Sequence, residues 1–193
     1  HVLRNYAANK LIDAPADKLP EVKSTLLSVY NNDKKTRTRA NALRLLNKKF
    51  GADADIATLN IKALNEQSYA ICGEAIEALS KSDPKLAMEK AKQFENETGK
   101  DVLYPIGELY SNHGSDDQML FFQNNLKQFN GFELMGFISM YAKTAKRCTS
   151  SVSVIVAAGD MNTLGKGGSR FTKFSAAKGI RDILTVWEAK EKT

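Results

Sequence analysis

Apolar residues recur at spacings of three and four along almost the whole chain, and alternation of period two is nearly absent. That is the signature of helices that bury one stripe. Ala40, Leu43, Leu46 and Phe50 form one stripe and Ile56, Leu59 and Ala63 the next, with Gly51 and Asp53 marking the break between them. Cys72, Ala75, Ile76 and Leu79 follow. Asp83 before Pro84 reads as an N-cap with proline at the first helical position, where a missing N–H leaves no intrahelical bond unmade. That helix is expected to run to about Thr98 and to end at Gly99. Three further stripes are carried by Val102, Ile106 and Leu109, by Met119, Phe122, Leu126 and Phe129, and by Leu134, Phe137, Ile138 and Tyr141. The final helix is expected to bury Phe174, Ala177, Ile180, Leu184 and Trp187. Val152, Val154, Ile155 and Val156 suit a strand by propensity. An isolated strand would leave its backbone unpaired, so Ser150 to Met161 is read as helix. Leu164 to Arg170 is rich in glycine and reads as a flexible loop.

Short connectors between helices favour antiparallel neighbours, which predicts successive helical hairpins. Sliding the chain by 33 positions lays Asn32, Asp33, Ala42, Leu43 and Leu46 over Asn65, Glu66, Ala75, Ile76 and Leu79, polar turn on polar turn and stripe on stripe. A slide of 35 lays Ala42 and Leu46 over Ala7 and Leu11. Each hairpin exposes an apolar face that only its neighbours can cover, which is why such units stack. The expected fold is therefore all-α, an alpha-alpha superhelix of stacked antiparallel helix hairpins of the HEAT or ARM kind. It is expected to form a single repeat domain over residues 1–193.

A chain of 193 residues, 42% of them apolar, can bury a core of that kind. Its apolar runs, such as Val154 to Ala158, fall far short of the roughly 20 residues that cross a bilayer. The chain begins at His1 with neither an initiator methionine nor an apolar signal core, which points to a piece or mature form of a longer polypeptide. Cys72 and Cys148, both placed inside expected helices, have neither the number nor the spacing of a disulfide framework or zinc site and read as buried thiols. The net charge of +6 is uneven. Residues 141–193 hold ten Lys or Arg against four Asp or Glu, whereas 101–140 hold one against five. A basic end of this sort suits a polyanion or an acidic partner.

Candidate chemistry is sparse. The chain has two histidines. His1 is terminal, and His113 precedes Gly114 at an expected helix end, where an imidazole complements the helix dipole. A His-Glu-x-x-His pair is absent, and so is a Gly-x-Ser-x-Gly elbow, so neither a metal ligand nor a catalytic residue is assigned. Gly165 to Ser169 departs from a phosphate loop twice. Gly159 and Gly165 enclose five residues instead of four, and Gly167 follows Lys166 where Ser or Thr is needed. Lys143, Lys146, Arg147, Lys166, Arg170, Lys173, Lys178 and Arg181 form a basic series, from which Lys166, Arg170 and Lys173 are the candidate interaction surface. Arg37 and Arg39 follow the Asn31 to Asp33 turn and are candidates for bonding an inter-repeat carboxylate. Asn96, Glu97 and Thr98 form a glycosylation sequon, which has meaning only in a secreted eukaryotic protein.

The runs Leu3 to Ala8, Asp33 to Phe50 and Leu64 to Ile71 resemble the helical C-terminal region of zinc aminopeptidases of the aminopeptidase N family. The phrase Ala75 to Pro84, with Ala87 and Ala91 after it, carries most of the likeness. It extends over about residues 1 to 130. The resemblance implies a HEAT-like array that follows a catalytic domain and covers its zinc cleft. Its partner would then be the catalytic module of the same chain, and peptide substrates would meet it only indirectly. The zinc would belong to the parent enzyme, because the family's zinc motif and its Gly-x-Met-Glu-Asn loop are both missing here. Some members direct a C-terminal arginine at the substrate, and no arginine of this chain is matched to it. Two other readings use the same pattern: a free-standing helical-repeat adaptor for a protein or peptide, and a nucleic-acid-binding helical array using the basic third.

Overall fold

A computed structural model describes residues 2–191, the side chain of Glu191 excepted. Every regular element among the described residues is helical, in agreement with the all-α stacked-hairpin expectation. The chain divides into two compact units, residues 1–92 and 93–193. Each has its own core.

The first unit holds α1 (Val2–Leu11), α2 (Leu19–Asn32), α3 (Thr36–Phe50), α4 (Ala54–Ala63), α5 (Tyr69–Ser82) and α6 (Pro84–Ala91). Helices α1, α3 and α5 lie side by side, with α2 packed on α3 and α4 and α6 packed on α5. Their shared core includes Leu26, Leu43, Leu46, Ile56, Ile71 and Ile76, all fully buried. Ala42, Leu43 and Leu46 on α3 and Ala75, Ile76 and Leu79 on α5 hold equivalent places, so the 33-residue repeat is a structural one. Toward α1 the offset is 34, since Ala8 is buried there and Ala7 is exposed. Asp83 caps α6 as its sequence requires, its Oδ1 accepting from the Leu86 amide at 3.0 Å. That helix stops earlier than expected. It ends at Ala91 and passes into a 3-10 turn, Lys92–Phe94, and Gly99 instead sits at the start of the next helix.

The second unit comprises α7 (Lys100–His113), α8 (Met119–Asn125), α9 (Gly131–Ala145), α10 (Ser151–Gly167) and α11 (Arg170–Glu191). Helices α7, α9 and α11 lie side by side, and α8 and α10 pack against α9. An aromatic cluster fills the core: Phe122 stacks on Tyr141 at 5.3 Å between ring centroids and Phe129 on Phe137 at 4.2 Å. Such ring pairs add directional preference to simple area burial.

Three expectations fail in this unit. The flexible loop at 164–170 is instead the last turn of α10, which continues through Gly165, Lys166 and Gly167. The helix persists because Gly165 lies against Ala176 of α11, so packing offsets the poor helical propensity of glycine. Only Gly168 and Ser169 break it, and a Cβ at Gly168 would fall 2.7 Å from the Leu164 carbonyl oxygen. Cys148 is buried as expected, but it lies in the α9–α10 connection outside any helix. The buried face of α11 is Thr172, Ala176, Gly179 and Ile183, while Phe174 and Leu184 point outward. The small residues win because α11 packs on α9 and α10 at once. An added Cβ at Gly179 would meet Met161 Sδ at 2.7 Å and Ala142 Cβ at 3.3 Å.

Candidate functional site

The first two helical turns of α9 and α11 put aromatics outside. Phe132, Phe171 and Phe174 are 81%, 61% and 68% exposed, and the rings of Phe132 and Phe171 lie 6.2 Å apart. A side chain of this size left in water forgoes one of the larger burial energies available to a protein, so three together form an exposed apolar patch of the kind found at interaction sites. Two reversals of the chain separate α9 from α11, so the two helices run in the same direction. At their far end Lys190 Nζ donates to the carbonyls of Lys146 and Cys148, at 3.1 and 2.9 Å.

Between them lies a groove of about 430 Å³. Helical spacing of four residues brings Met135, Ser139 and Lys143 to its α9 rim and Phe174, Lys178 and Asp182 to its α11 rim. Lys146 extends the α9 rim. Gly136, Ala142 and Gly179 form a floor of small residues. Lys143 is held by Asn112 Oδ1 at 2.5 Å, which fixes its ammonium while leaving its charge uncompensated by that neutral partner. Asp182 lies 3.7 Å from Arg181, too far for a strong pair.

The residues singled out from sequence are scattered. Lys166 and Lys173 face each other across a second, shallower groove between α10 and α11, about 380 Å³ in volume and floored by Met161, Ala176 and Ile180. Arg170 is exposed at the start of α11 and does not line it. Arg37 is exposed on α3. Arg39 forks onto Glu66, with nitrogen to oxygen distances of 2.5 and 3.2 Å, and its Nε donates to the Tyr30 carbonyl at 2.7 Å. This arginine thus ties the end of α2 to the turn before α5. Arg147, one of the basic series, is likewise turned inward. It donates to the carbonyls of Tyr110, Ser111 and Gly114 at 2.7, 2.6 and 2.9 Å, which closes the C-terminal end of α7. Burial pulls its pKa below the usual arginine value.

Another groove, of about 690 Å³, runs between α3 and α5, but its charges partly satisfy one another. Lys81 pairs with Glu77 at 2.6 Å, Arg44 donates to Asn41 at 2.6 Å, and Asn47 and Asn60 bond reciprocally at 3.0 and 2.7 Å. Aromatic side chains do not line it. Among the described residues no three His, Cys, Asp or Glu side chains converge as a metal site would require. Most buried polar groups are occupied with structure, and the exceptions among the described residues are the Asn5 side-chain oxygen and the Thr38 hydroxyl, which are buried without a hydrogen-bond partner. Tyr141 donates to Asp160 at 2.8 Å, and burial followed by this bond raises its pKa. Burial pushes the Cys148 thiol up to about 12, far from a reactive thiolate.

A designed armadillo repeat protein shares this fold. The two superpose with a TM-score of 0.55 over 93% of this chain and 92% of the other, at 12% identity. No family model matches the chain, and no curated protein does. Among the described residues no helix is long and apolar enough to cross a membrane.

What the sequence reading missed is the α9–α11 groove. Its lysines belong to the basic series, but Phe174 is expected from the sequence on a core stripe. The signal that separates it from the core is the run Thr172, Ala176 and Gly179, a close-packing face of small residues two positions out of phase with the large ones.

Proposed function

We propose that this chain is a helical-repeat binding module that holds a segment of another protein or a peptide. The observation that carries the reading is the cluster of exposed Phe132, Phe171 and Phe174 at the mouth of a groove between two packed helices. Stacked hairpins present long rigid furrows of this type, and rigid furrows with aromatic anchors are economical binders because little ordering accompanies association. The armadillo-like fold supports the same reading.

Two narrower readings stand behind it. A cap on a zinc aminopeptidase draws on the residue resemblance alone, and a zinc-protease motif encoded upstream of His1 would decide in its favour. Nucleic-acid binding draws on the basic third, yet Arg147 is occupied with the end of α7. The test is selection from a displayed random peptide library on the immobilised chain, with calorimetry on the selected sequences. Affinities in the micromolar range, about −8 kcal/mol, are expected. Selected peptides all weaker than about 1 mM, or metal-dependent aminopeptidase turnover by this chain, would overturn the reading.

A further inference from the structure

We infer that the α9–α11 groove takes an extended acidic peptide segment carrying one large apolar side chain. The inference rests on the binding-module reading and adds the chemistry of the ligand. Along the groove three ammonium groups, those of Lys143, Lys146 and Lys178, face the single carboxylate of Asp182. Acidic side chains complement that rim, and the complementarity acts over the length of the groove instead of at one point. At the other end Met135 and Phe174, with Phe132 and Phe171 beyond them, offer an apolar seat for one bulky side chain.

Length and depth both favour an extended chain. From Phe132 to Lys146 the α9 rim spans roughly 21 Å at about 1.5 Å per residue, which matches about six residues of extended peptide at roughly 3.3 Å each. Gly179 lets α11 close on Ala142, so the furrow above them is shallow. Ser139 and Ser175 line it with hydroxyls, and Asp182 adds a carboxylate. The hydroxyls serve either as donors or as acceptors, whereas the carboxylate only accepts and can take a backbone amide, a donor that a phosphodiester linkage lacks. A peptide therefore fits the lining better than a nucleic acid, which would also bring its uniform negative charge against Asp182.

The test uses the full chain and fluorescence anisotropy with three labelled probes: a peptide of about ten residues rich in Glu and Asp with one central Phe, the same peptide with Lys and Arg in place of the acids, and a single-stranded oligonucleotide. The acidic probe should bind at least about tenfold more tightly than the basic one. Lys143→Glu with Lys178→Glu should weaken it by about a hundredfold, Phe174→Ala by about tenfold, and Lys81→Glu in the α3–α5 groove by less than twofold. Unchanged Trp187 emission and helical circular dichroism establish that each variant folds. Equal binding of the basic probe, tighter binding of the oligonucleotide, or insensitivity to the Lys143 and Lys178 reversals would overturn the inference. In the last case peptides selected from the library would still bind, so the module reading would stand while this site fell.

Discussion

Arg147 makes the sharpest test of how the second unit is held together. Replacing it with methionine keeps the stem and removes the guanidinium from three carbonyl oxygens at the end of α7 and, more weakly, from Lys143 O at 3.3 Å. Tyr110 O keeps partners in the Gly114 amide at 2.8 Å and the Thr144 hydroxyl at 3.2 Å, so the loss falls on Ser111 O and Gly114 O. Hydrogen bonds from a charged donor contribute about 1.5–3 kcal/mol each. Desolvation of the guanidinium, visible in its lowered pKa, offsets part of that, and water entering the half-buried site offsets more. A net loss of about 2–3 kcal/mol remains. The single tryptophan, Trp187 on α11, reports on this unit, so urea unfolding can be followed by its fluorescence. With a slope of about 2 kcal/mol per M for a unit of this size, the midpoint should fall by about 1–1.5 M. Arg147→Lys should recover less than half, because one nitrogen on a shorter head cannot reach the Gly114, Ser111 and Tyr110 carbonyls that three separate guanidinium nitrogens reach at once. A midpoint shift below about 0.25 M at unchanged slope, or full recovery by lysine, would refute the capping role.

Other consequences concern single residues. Gly159 has open space around its missing Cβ, so Gly159→Ala should stabilise α10 by about 0.5–1 kcal/mol, whereas Gly179→Ala should destabilise by about 1–2 kcal/mol through overlap with Met161 and Ala142. Thermal unfolding of the pair checks the opposite signs. Burial alone would raise the Asp116 carboxyl, but bonds from Thr149 and Ser150 outweigh it and hold the group well below the ordinary carboxylate range. Its contribution is therefore present above an unfolded pKa of about 4 and is lost as pH falls through the folded value. Asp116→Asn should be less stable than the parent at pH 7, and urea midpoints should converge in strong acid. A double-mutant cycle on Arg39 and Glu66, whose side chains are 22% and 30% exposed, should return a coupling of about 1–2 kcal/mol. Zero coupling would mean that the fork contributes nothing. Both thiols should resist a disulfide reagent at pH 8 until denaturant is added, since each is buried and burial raises its pKa.

Spacing alone determined that this chain is helical, which residues of α3, α5, α7 and α9 face inward, and that α3 and α5 repeat. The period near 3.6 and the aspartate before a proline are read within a few residues of where they act, and the repeat follows from laying two such local patterns over one another. Tertiary structure decided the rest. Which face of α11 is buried depended on α9 and α10 arriving together, and close approach selected Ala176 and Gly179 over the more hydrophobic Phe174 and Leu184. The same close packing kept Gly165 helical against its propensity. It also divided the basic residues, turning Arg147 onto α7 and leaving Lys143, Lys146 and Lys178 along one groove. A linear pattern records how apolar each face is, but not how closely its neighbours must come. Here that distance, set by three helices meeting at Gly179, determined which side chains were left for a partner.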